Sequence, residues 1–339
     1  MPGVGIFQWD KVSEGTLRGC YAATRAARAV DDPDGPPISE RRLREILTDK
    51  RGSERKEVWF ASGAGGDADV LGWYRLKLPE RENRDHGMLR LFVHPAHRRR
   101  GVGTELLRHA AGRAAQEGRS FLGAETFHGT AGSEFAAHAG ARAGVLEARR
   151  VLDVAGLAPG KIAALRASAT AAAAGYSLVS WTGRTPDEYV DGLAYVAEAM
   201  NDAPSDYEAE QWDAQRVREE VDASIEASAN RVYTVVAIHD AIGQLAALTA
   251  VEVDPECPDW GFQAGTMVAR PHRGHRLGML VKTAMLDWLA TAEPALRRIE
   301  TGNAAVNKHM IAINEELGFE LVYPSVQEYV LPVKTVLGG

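Results

Sequence analysis

Residues Leu89–Leu107 read LRLFVHPAHRRRGVGTELL: an apolar run, a basic loop containing Gly101 and Gly103, and the start of a helical repeat. The apolar run has the β-branched and aromatic content of a strand, while Val102, Leu106, Leu107 and Ala110 recur at helical spacing across Val102–Gln116. That order leaves the first backbone N–H groups of the helix without intrahelical partners, where a phosphate group can approach them. Gly101 and Gly103 can adopt a left-handed φ or let a ligand close on the backbone, and Arg98, Arg99 and Arg100 surround the turn with positive charge. The arrangement suits a diphosphate. An [Arg/Gln]-x-x-Gly-x-[Gly/Ala] pattern arises about once by chance in a chain of this composition, so its placement between strand and helix carries the inference.

Outward from this stretch, the same arrangement returns as MVARPHRGHRLGMLVK at Met267–Lys282. One shift of 175 residues superposes Gly72 on Ala247, Arg98 on Arg273, Gly103 on Gly278 and Glu125 on Glu300, which implies a duplication. Each half also begins with a short strand-like run ending in Trp, GIFQW up to Trp9 and YSLVSW up to Trp181. Between the halves lies LAPGKIAALRASATAAAAG, Leu157–Gly175, which reads as a partly helical connector without an aromatic anchor. A chain of 339 residues accommodates two domains, expected here at 1–155 and 176–339 with 156–175 between them.

The pattern predicts helices at Thr16–Arg28, Ser39–Thr48, Val102–Gln116 and Ser133–His138 in the first half, with strands at Val58–Ser62, Val70–Leu78, Met88–Val93, Ser120–Phe127 and Ala143–Val154. The second half predicts helices at Pro186–Met200, Glu208–Ser228, Arg276–Ala290 and Ala304–Glu316, with strands at Arg231–Ile238, Leu245–Val253, Phe262–Val268, Ile299–Thr301 and Leu321–Val330. The fold class is therefore α/β (α+β), two tandem domains of mixed strand and helix order.

Composition narrows the chemistry. Hydrophobic residues make up 45% and charged residues 25%, as in an ordinary globular chain, and a net charge of −7 gives no general attraction to nucleic acid or acidic membranes. Cys20 and Cys257 stand far apart, so neither a disulfide framework nor a thiolate zinc site is indicated. The opening MPGVGIFQWDK lacks a basic segment followed by a long apolar one, and a cytoplasmic location is expected.

With these motifs in place, the chain resembles the GNAT superfamily of N-acetyltransferases in two tandem copies, and looks most like its two-domain actinobacterial members. The resemblance implies, for each copy, a mixed, mostly antiparallel central sheet flanked by helices, with acetyl-coenzyme A as cofactor. In the first copy Arg98-x-x-Gly101-x-Gly103 fits the family's diphosphate loop, which implies pantetheine contacts at Phe92 and Val93 and phosphate contacts through Arg98, Arg99, Arg100, Gly101, Val102, Gly103 and Thr104. In the second copy the same role falls to Met267, Val268, Arg273, Gly274, His275, Arg276, Leu277 and Gly278, with Arg276 where the first glycine is expected. Asn303 and Asn307 resemble cofactor-side amides. The family's later helix ends in Leu-Gly-Phe, present as Leu317-Gly318-Phe319, and usually has a Tyr four residues before the Gly to protonate the departing thiolate. Here Asn314 and, in the first copy, Ala136 occupy that position, so neither copy retains the usual acid.

A lysine-like amine is protonated by over three pH units at neutrality, a cost of roughly 4–5 kcal/mol that a base or desolvation has to offset. The candidates are Glu252, Glu300 and Glu125, with Asp254 and Glu256 nearby, each weighed against a solvated or paired structural role. The acidic runs Asp31, Asp32, Asp34 and Asn201–Glu208 fall where family members build the acceptor pocket, although solvated charge is the simpler reading. His94-x-x-His97 and His272-x-x-His275 are expected at the surface or beside phosphate rather than on a metal, Trp9, Trp59, Trp73 and Trp181 in cores, and Cys20 packed in its helix. The resulting expectation is an acetyl-coenzyme A-dependent N-acetyltransferase acting on a small-molecule amine, for instance an antibiotic or specialised metabolite, by direct attack on the thioester. Two alternatives stand beside it: a non-catalytic coenzyme A-binding sensor, and a mycothiol-synthase-like tandem acetyltransferase.

Overall fold

The computed structural model describes residues 5–8, 13–49, 54–66, 69–202 and 207–338. The chain forms two compact units. One takes residues 1–147, 206–208 and 323–339, and the other takes 148–205 and 209–322. The division therefore differs from the expected 1–155 and 176–339, because a tripeptide and the C-terminal segment pack with the first unit.

In the first unit, helices α1 (Glu14–Asp31) and α2 (Glu40–Thr48) both begin at serines whose hydroxyls accept from backbone N–H groups, Ser13 from Thr16 at 3.1 Å and Ser39 from Arg42 at 3.0 Å. Strands β1 (Gly5–Gln8), β2 (Arg55–Ser62), β3 (Val70–Leu78) and β4 (His86–Val93) pair antiparallel in sequence. Trp9, expected to end the first strand, lies outside the described residues. Helix α3 (Val102–Gln116) follows β4, and β5 (Phe121–Phe127) then pairs parallel to β4. Alternation sorts the strand side chains between two cores. Tyr74, Leu76, Leu89 and Leu122 pack with Leu106, Leu107 and Ala110 of α3, whereas Trp73 packs with Leu17 and Cys20 of α1 and Leu43 and Leu47 of α2. Helix α4 (Ala131–His138) and strand β6 (Arg142–Asp153) come next.

The Ala-rich stretch expected as a connector is helix α5 (Lys161–Ala172), and it belongs to the second unit, where Ala169 and Ala173 enter the main core. Strands β7 (Tyr176–Thr182), β8 (Arg231–His239), β9 (Gln244–Val253) and β10 (Trp260–Val268) pair antiparallel in sequence, and β11 (Arg298–Ala304) pairs parallel to β10. Helix α6 (Val190–Ala197) is shorter than predicted. The predicted Glu208–Ser228 helix is broken into α7 (Ala214–Arg216), a π-helical turn over Val217–Asp222 and α8 (Ala223–Ala227). Helix α9 (Leu277–Ala292) is apolar nearly all round and correspondingly buried, and α10 (Lys308–Leu317) starts four residues later than predicted because Asn307 caps it, accepting from Met310 N–H at 3.2 Å.

Strand β12 (Glu320–Pro332) and helix α11 (Val333–Leu337) close the chain. Residues Val326–Pro332 of β12 pair antiparallel with β5, so the last strand of the sequence completes the first unit. The end of β6, predicted to close the first half, instead lies beside β11 in the second unit. Each unit thus has an antiparallel meander of four strands and one parallel pair, a mixed and mostly antiparallel sheet flanked by helices. No helix among the described residues is long and apolar enough to cross a membrane.

Candidate functional site

The parallel pair is where each sheet opens. In the first unit β4 and β5 pair from His86↔Phe121 to Leu89↔Ala124 and no further, although β4 continues to Val93 and β5 to Phe127. In the second unit β10 and β11 pair from Trp260↔Arg298 to Phe262↔Glu300, and then continue separately to Val268 and Ala304. Past the split, Phe92 and Val93 in one unit and Met267 and Val268 in the other carry backbone along an edge whose parallel pairing has ended. A sheet edge of that kind can hydrogen-bond an extended ligand.

A short turn leads from each of these strands into a helix N-terminus with no side-chain cap, α3 in one unit and α9 in the other. Both turns use two left-handed residues with one between them. They are Arg99 (φ 61°) and Gly101 (φ 85°) in the first unit, and Gly274 (φ 87°) and Arg276 (φ 54°) in the second. The backbone path is retained while glycine and arginine have exchanged places, so the missing glycine at position 276 does not remove the turn. An arginine in that conformation costs roughly 1–2 kcal/mol relative to a right-handed one. The turn aims the leading amides of α3, those of Val102, Gly103 and Thr104, at one point, and Leu277 and Gly278 lead α9 in the same way. A Cβ on Gly103 would lie 3.5 Å from Phe135, an ordinary contact, so packing within the chain leaves the position open to a larger residue.

The arginines of the two loops divide by role. Arg98 reaches back with Nε to the Val93 carbonyl at 3.4 Å, and its two terminal nitrogens donate to the Asp31 carboxylate at 2.8 and 2.6 Å. Arg273 repeats the pattern, with Nε on the Val268 carbonyl at 3.1 Å and an ion pair to Asp202, which Arg270 also holds. These guanidiniums pull the Asp202 carboxyl down to about 2, Arg270 contributing most. Arg98 and Arg273 therefore clamp the turn to the end of its strand and are already neutralised, while Arg99 and Arg100 remain exposed. The acidic runs are correspondingly not plain solvated charge. Asp31 and Asp202 hold arginines, Asp32 is buried, and Glu208 accepts from Asn83 N–H at 2.9 Å. Residues 203–206 of the second run lie outside the described residues.

The proposed bases differ in their surroundings. Glu300 is buried, and its Oε1 accepts from Arg149 Nε at 2.7 Å, which commits that oxygen to structure. Glu252 is half-buried and accepts from Asn230 at 3.3 Å. Asp254 accepts from the Glu256 N–H at 2.9 Å in a local turn. Glu125 is exposed on β5, one residue past the point where β4 and β5 part. Phe262 is half exposed and sits in register between Glu252 and Glu300 across β9, β10 and β11.

At the position of the usual acid, Asn314 is fully buried and its amide donates to Asn303 at 2.7 Å, so these two side chains are engaged with each other and Asn307 is engaged as a helix cap. His272, expected near the surface, is buried and bonded to the Tyr176 hydroxyl at 3.0 Å. Trp73 is fully buried and donates to Thr24 at 2.9 Å, whereas Trp59 and Trp181 are only partly buried. Cys20 is fully buried, and burial pushes its thiol up to about 12. Sequence reasoning passed over the Asp31 and Asp202 clamps. It also passed over Lys282, the cation in the middle of apolar α9, which is buried, donates to Gln263 at 2.9 Å and is lowered to about 7 by desolvation.

Residues 24–138 match the family model described as Acetyltransferase (GNAT) family. Among solved structures, the chain is similar to a tandem GNAT protein from the clavulanic acid biosynthesis pathway, with 28% identity, a TM-score of 0.81, and coverage of 98% of this chain and 99% of that one. It also shares its fold with a GCN5-related N-acetyltransferase from Sphaerobacter thermophilus, at 14% identity and a TM-score of 0.62 over 95% and 97% of the two chains. No curated protein matches the sequence. Residues 24–138 thus match the GNAT family, and the chain over nearly its whole length is similar in structure to a tandem GNAT protein.

Proposed function

We propose that the protein is an acetyl-coenzyme A-dependent N-acetyltransferase acting on the amine of a small molecule. The observation that supports this reading is the repeated left-handed turn, which in both units leads from a strand that parts from its parallel neighbour into a helix whose first amides have no side-chain cap. The amides of Val102, Gly103 and Thr104 suit a diphosphate, Arg99 and Arg100 add charge at the rim, and the edge at Phe92 and Val93 suits the amide-bearing pantetheine arm. When bound, acetyl-coenzyme A supplies a thioester whose acyl carbon an amine can attack and whose thiolate is a fair leaving group, a thiol pKa being about 8.5. The chain's own part is to orient that carbonyl against β4 backbone donors and to present Glu125 to the amine proton.

The first unit is the better site for cofactor, because it keeps Gly101 and Gly103 and has no side chain at either position. The second unit offers the same turn with Arg276 in it, and the buried Arg149–Glu300 pair removes one of its candidate bases. A test follows coenzyme A thiol release from acetyl-coenzyme A with a panel of primary amines. Amine-dependent release supports the transferase, and its absence throughout the panel despite cofactor binding contradicts it.

The absent tyrosines favour a second reading, in which the chain binds coenzyme A without turnover. Asn314 is fully buried and tied to Asn303, so the residue at the usual acid position has no proton to give a thiolate. Calorimetric binding of acetyl-coenzyme A with no loss of acetyl over hours is the result expected on that reading alone.

A further inference from the structure

Where β10 leaves β11 it also slips against β9. Gln263 pairs with Val251 and Gly265 with Ala250, so Ala264 is an extra residue in β10, and this bulge begins directly after Phe262, the last residue of the parallel pair. A bulge bends its strand and leaves backbone groups out of the ladder. Here one side chain takes up the released carbonyls. Gln263 Nε2 donates to the Ala250 carbonyl at 2.7 Å and the Gly265 carbonyl at 3.2 Å, and also to Thr249 Oγ1 at 2.8 Å, which shares a further hydrogen bond of 2.8 Å with Thr266 Oγ1.

The Gln263 amide does this only one way round. Turned over, it would set Oε1 against the Ala250 and Gly265 carbonyls. Lys282 of α9 fixes the orientation, because its Nζ donates to Gln263 Oε1 at 2.9 Å and in its charged form can only donate. Lys282 is 3% exposed, lies 5.0 Å from the centre of the Phe319 ring and has no carboxylate partner among the described residues; desolvation alone lowers it to about 7. A cation buried without a counter-charge costs stability. The first unit does without one. The 175-residue shift superposes Leu107 on Lys282 and Tyr74 on Thr249, and Leu89, across from Leu76, stands where Gln263 stands across from Val251. Tyr74, Leu89 and Leu107 belong to an apolar core, and β4 pairs with β3 without a shift from Lys77↔Met88 to Gly72↔Val93. The polar network thus accompanies the bulge, and the unit with an unshifted strand has apolar side chains in its place. A destabilising cation kept under a deformed strand at the edge of an opening has the form of a support for function.

We propose that Lys282 is a positioning residue of the second unit: through Gln263 it holds the β10 bulge, and the bulge keeps residues 265–268 parted from β11 so that an extended, amide-bearing ligand arm can lie along them. That the arm is pantetheine rests on the coenzyme A reading given above, whereas the hold on the bulge does not.

The test uses the full chain and two variants, Lys282→Met, which removes the donor, and Lys282→Gln, which removes the charge but keeps an N–H donor. Lys282→Met should melt above wild type near pH 7, because the buried amine is gone. Amide hydrogen exchange without ligand should nevertheless speed up at least ten-fold at residues 264–266 of Lys282→Met, and Lys282→Gln should return it to within three-fold of wild type. A lysine that only packs would leave exchange there slower or unchanged in the more stable variant. That result overturns the proposal, as does equal exchange in the two variants. Calorimetry with coenzyme A reads the ligand. Wild type should show two binding events, one for each unit, and Lys282→Met should weaken one of them at least ten-fold while leaving the other within two-fold. Two unaltered events despite faster exchange overturn the bulge's service to the ligand. A single event in wild type, with the exchange result as expected, leaves the hold on the bulge standing and removes coenzyme A from this opening.

Discussion

Replacing Asp31 with Asn separates two roles for Arg98, the first arginine of the loop. If Arg98 were a mobile cation serving the phosphates, freeing it from its carboxylate would strengthen coenzyme A binding. The structure instead makes Arg98 a strut between the Val93 carbonyl and Asp31, with the two side chains 21% and 18% exposed. A two-point charge-assisted contact of this kind contributes roughly 1.5–3 kcal/mol when largely desolvated. If binding has to restore the turn, that energy is lost from affinity, corresponding to a roughly 10- to 100-fold rise in Kd. Arg98→Lys should show a similar loss, since an ammonium cannot reach two carboxylate oxygens and a carbonyl together. Calorimetric titration of coenzyme A into wild-type, Asp31→Asn and Arg98→Lys chains measures all three. Tighter binding by Asp31→Asn, or unchanged binding by Arg98→Lys, would refute the strut.

Other consequences are independent of that one. Gly101→Val should destabilise the first unit by about 1–2 kcal/mol, because a β-branched residue has to adopt φ 85°, and should weaken coenzyme A binding as well; denaturant melts and titration read the two effects. Lys282 is lowered in the folded chain to about 7 from an ordinary 10.5, so the unfolded state binds the extra proton between those values. The wild-type chain should accordingly gain stability from this group as pH rises through that window, by about 1 kcal/mol per unit. In Lys282→Met that slope should vanish and stability near pH 7 should increase; a parallel pH dependence in the variant would contradict the assignment. Cys20, with its thiol pushed up to about 12, should resist a thiol reagent at pH 8 until the chain is unfolded, while half-exposed Cys257 should react in the native state.

The local elements were legible because their determinants are local. Val70–Leu78 and Val102–Gln116 match β3 and α3 to the residue, since period-two and period-3.6 patterns bounded by glycine or polar turns leave little choice. The 175-residue shift likewise carried over into backbone conformation, with left-handed residues at 99 and 101 and again at 274 and 276. Strand partnership was not legible. Both β6 and β12 read as closing strands, and nothing in an alternating pattern tells a strand which neighbour to join, so the placement of β12 beside β5 emerges only from tertiary packing. The Glu208–Ser228 helix was overcalled because it is polar and charged, and only the part from Ala214 onward packs well enough to form helical turns.

The loop residues were found from sequence, but half of their roles were not. A basic run suggests charge for a phosphate, and only the fold shows that Arg98 and Arg273 spend theirs on Asp31 and Asp202. Those aspartates sit at the ends of helical segments of their halves, Asp31 closing α1 and Asp202 closing the turn after α6, but they are 171 residues apart, so the 175-residue shift that aligns the loops does not pair them. The link from Lys282 to the β10 bulge had no sequence signal, because Lys282, Gln263 and Thr249 come from three elements and meet only through packing and register.

The most direct measurement is the structure of the chain crystallised with coenzyme A. The diphosphate is predicted on the amides of Val102, Gly103 and Thr104, with the pantetheine arm running along Phe92 and Val93 in the opening between β4 and β5. A diphosphate bound elsewhere, with that opening closed by side chains, would contradict it.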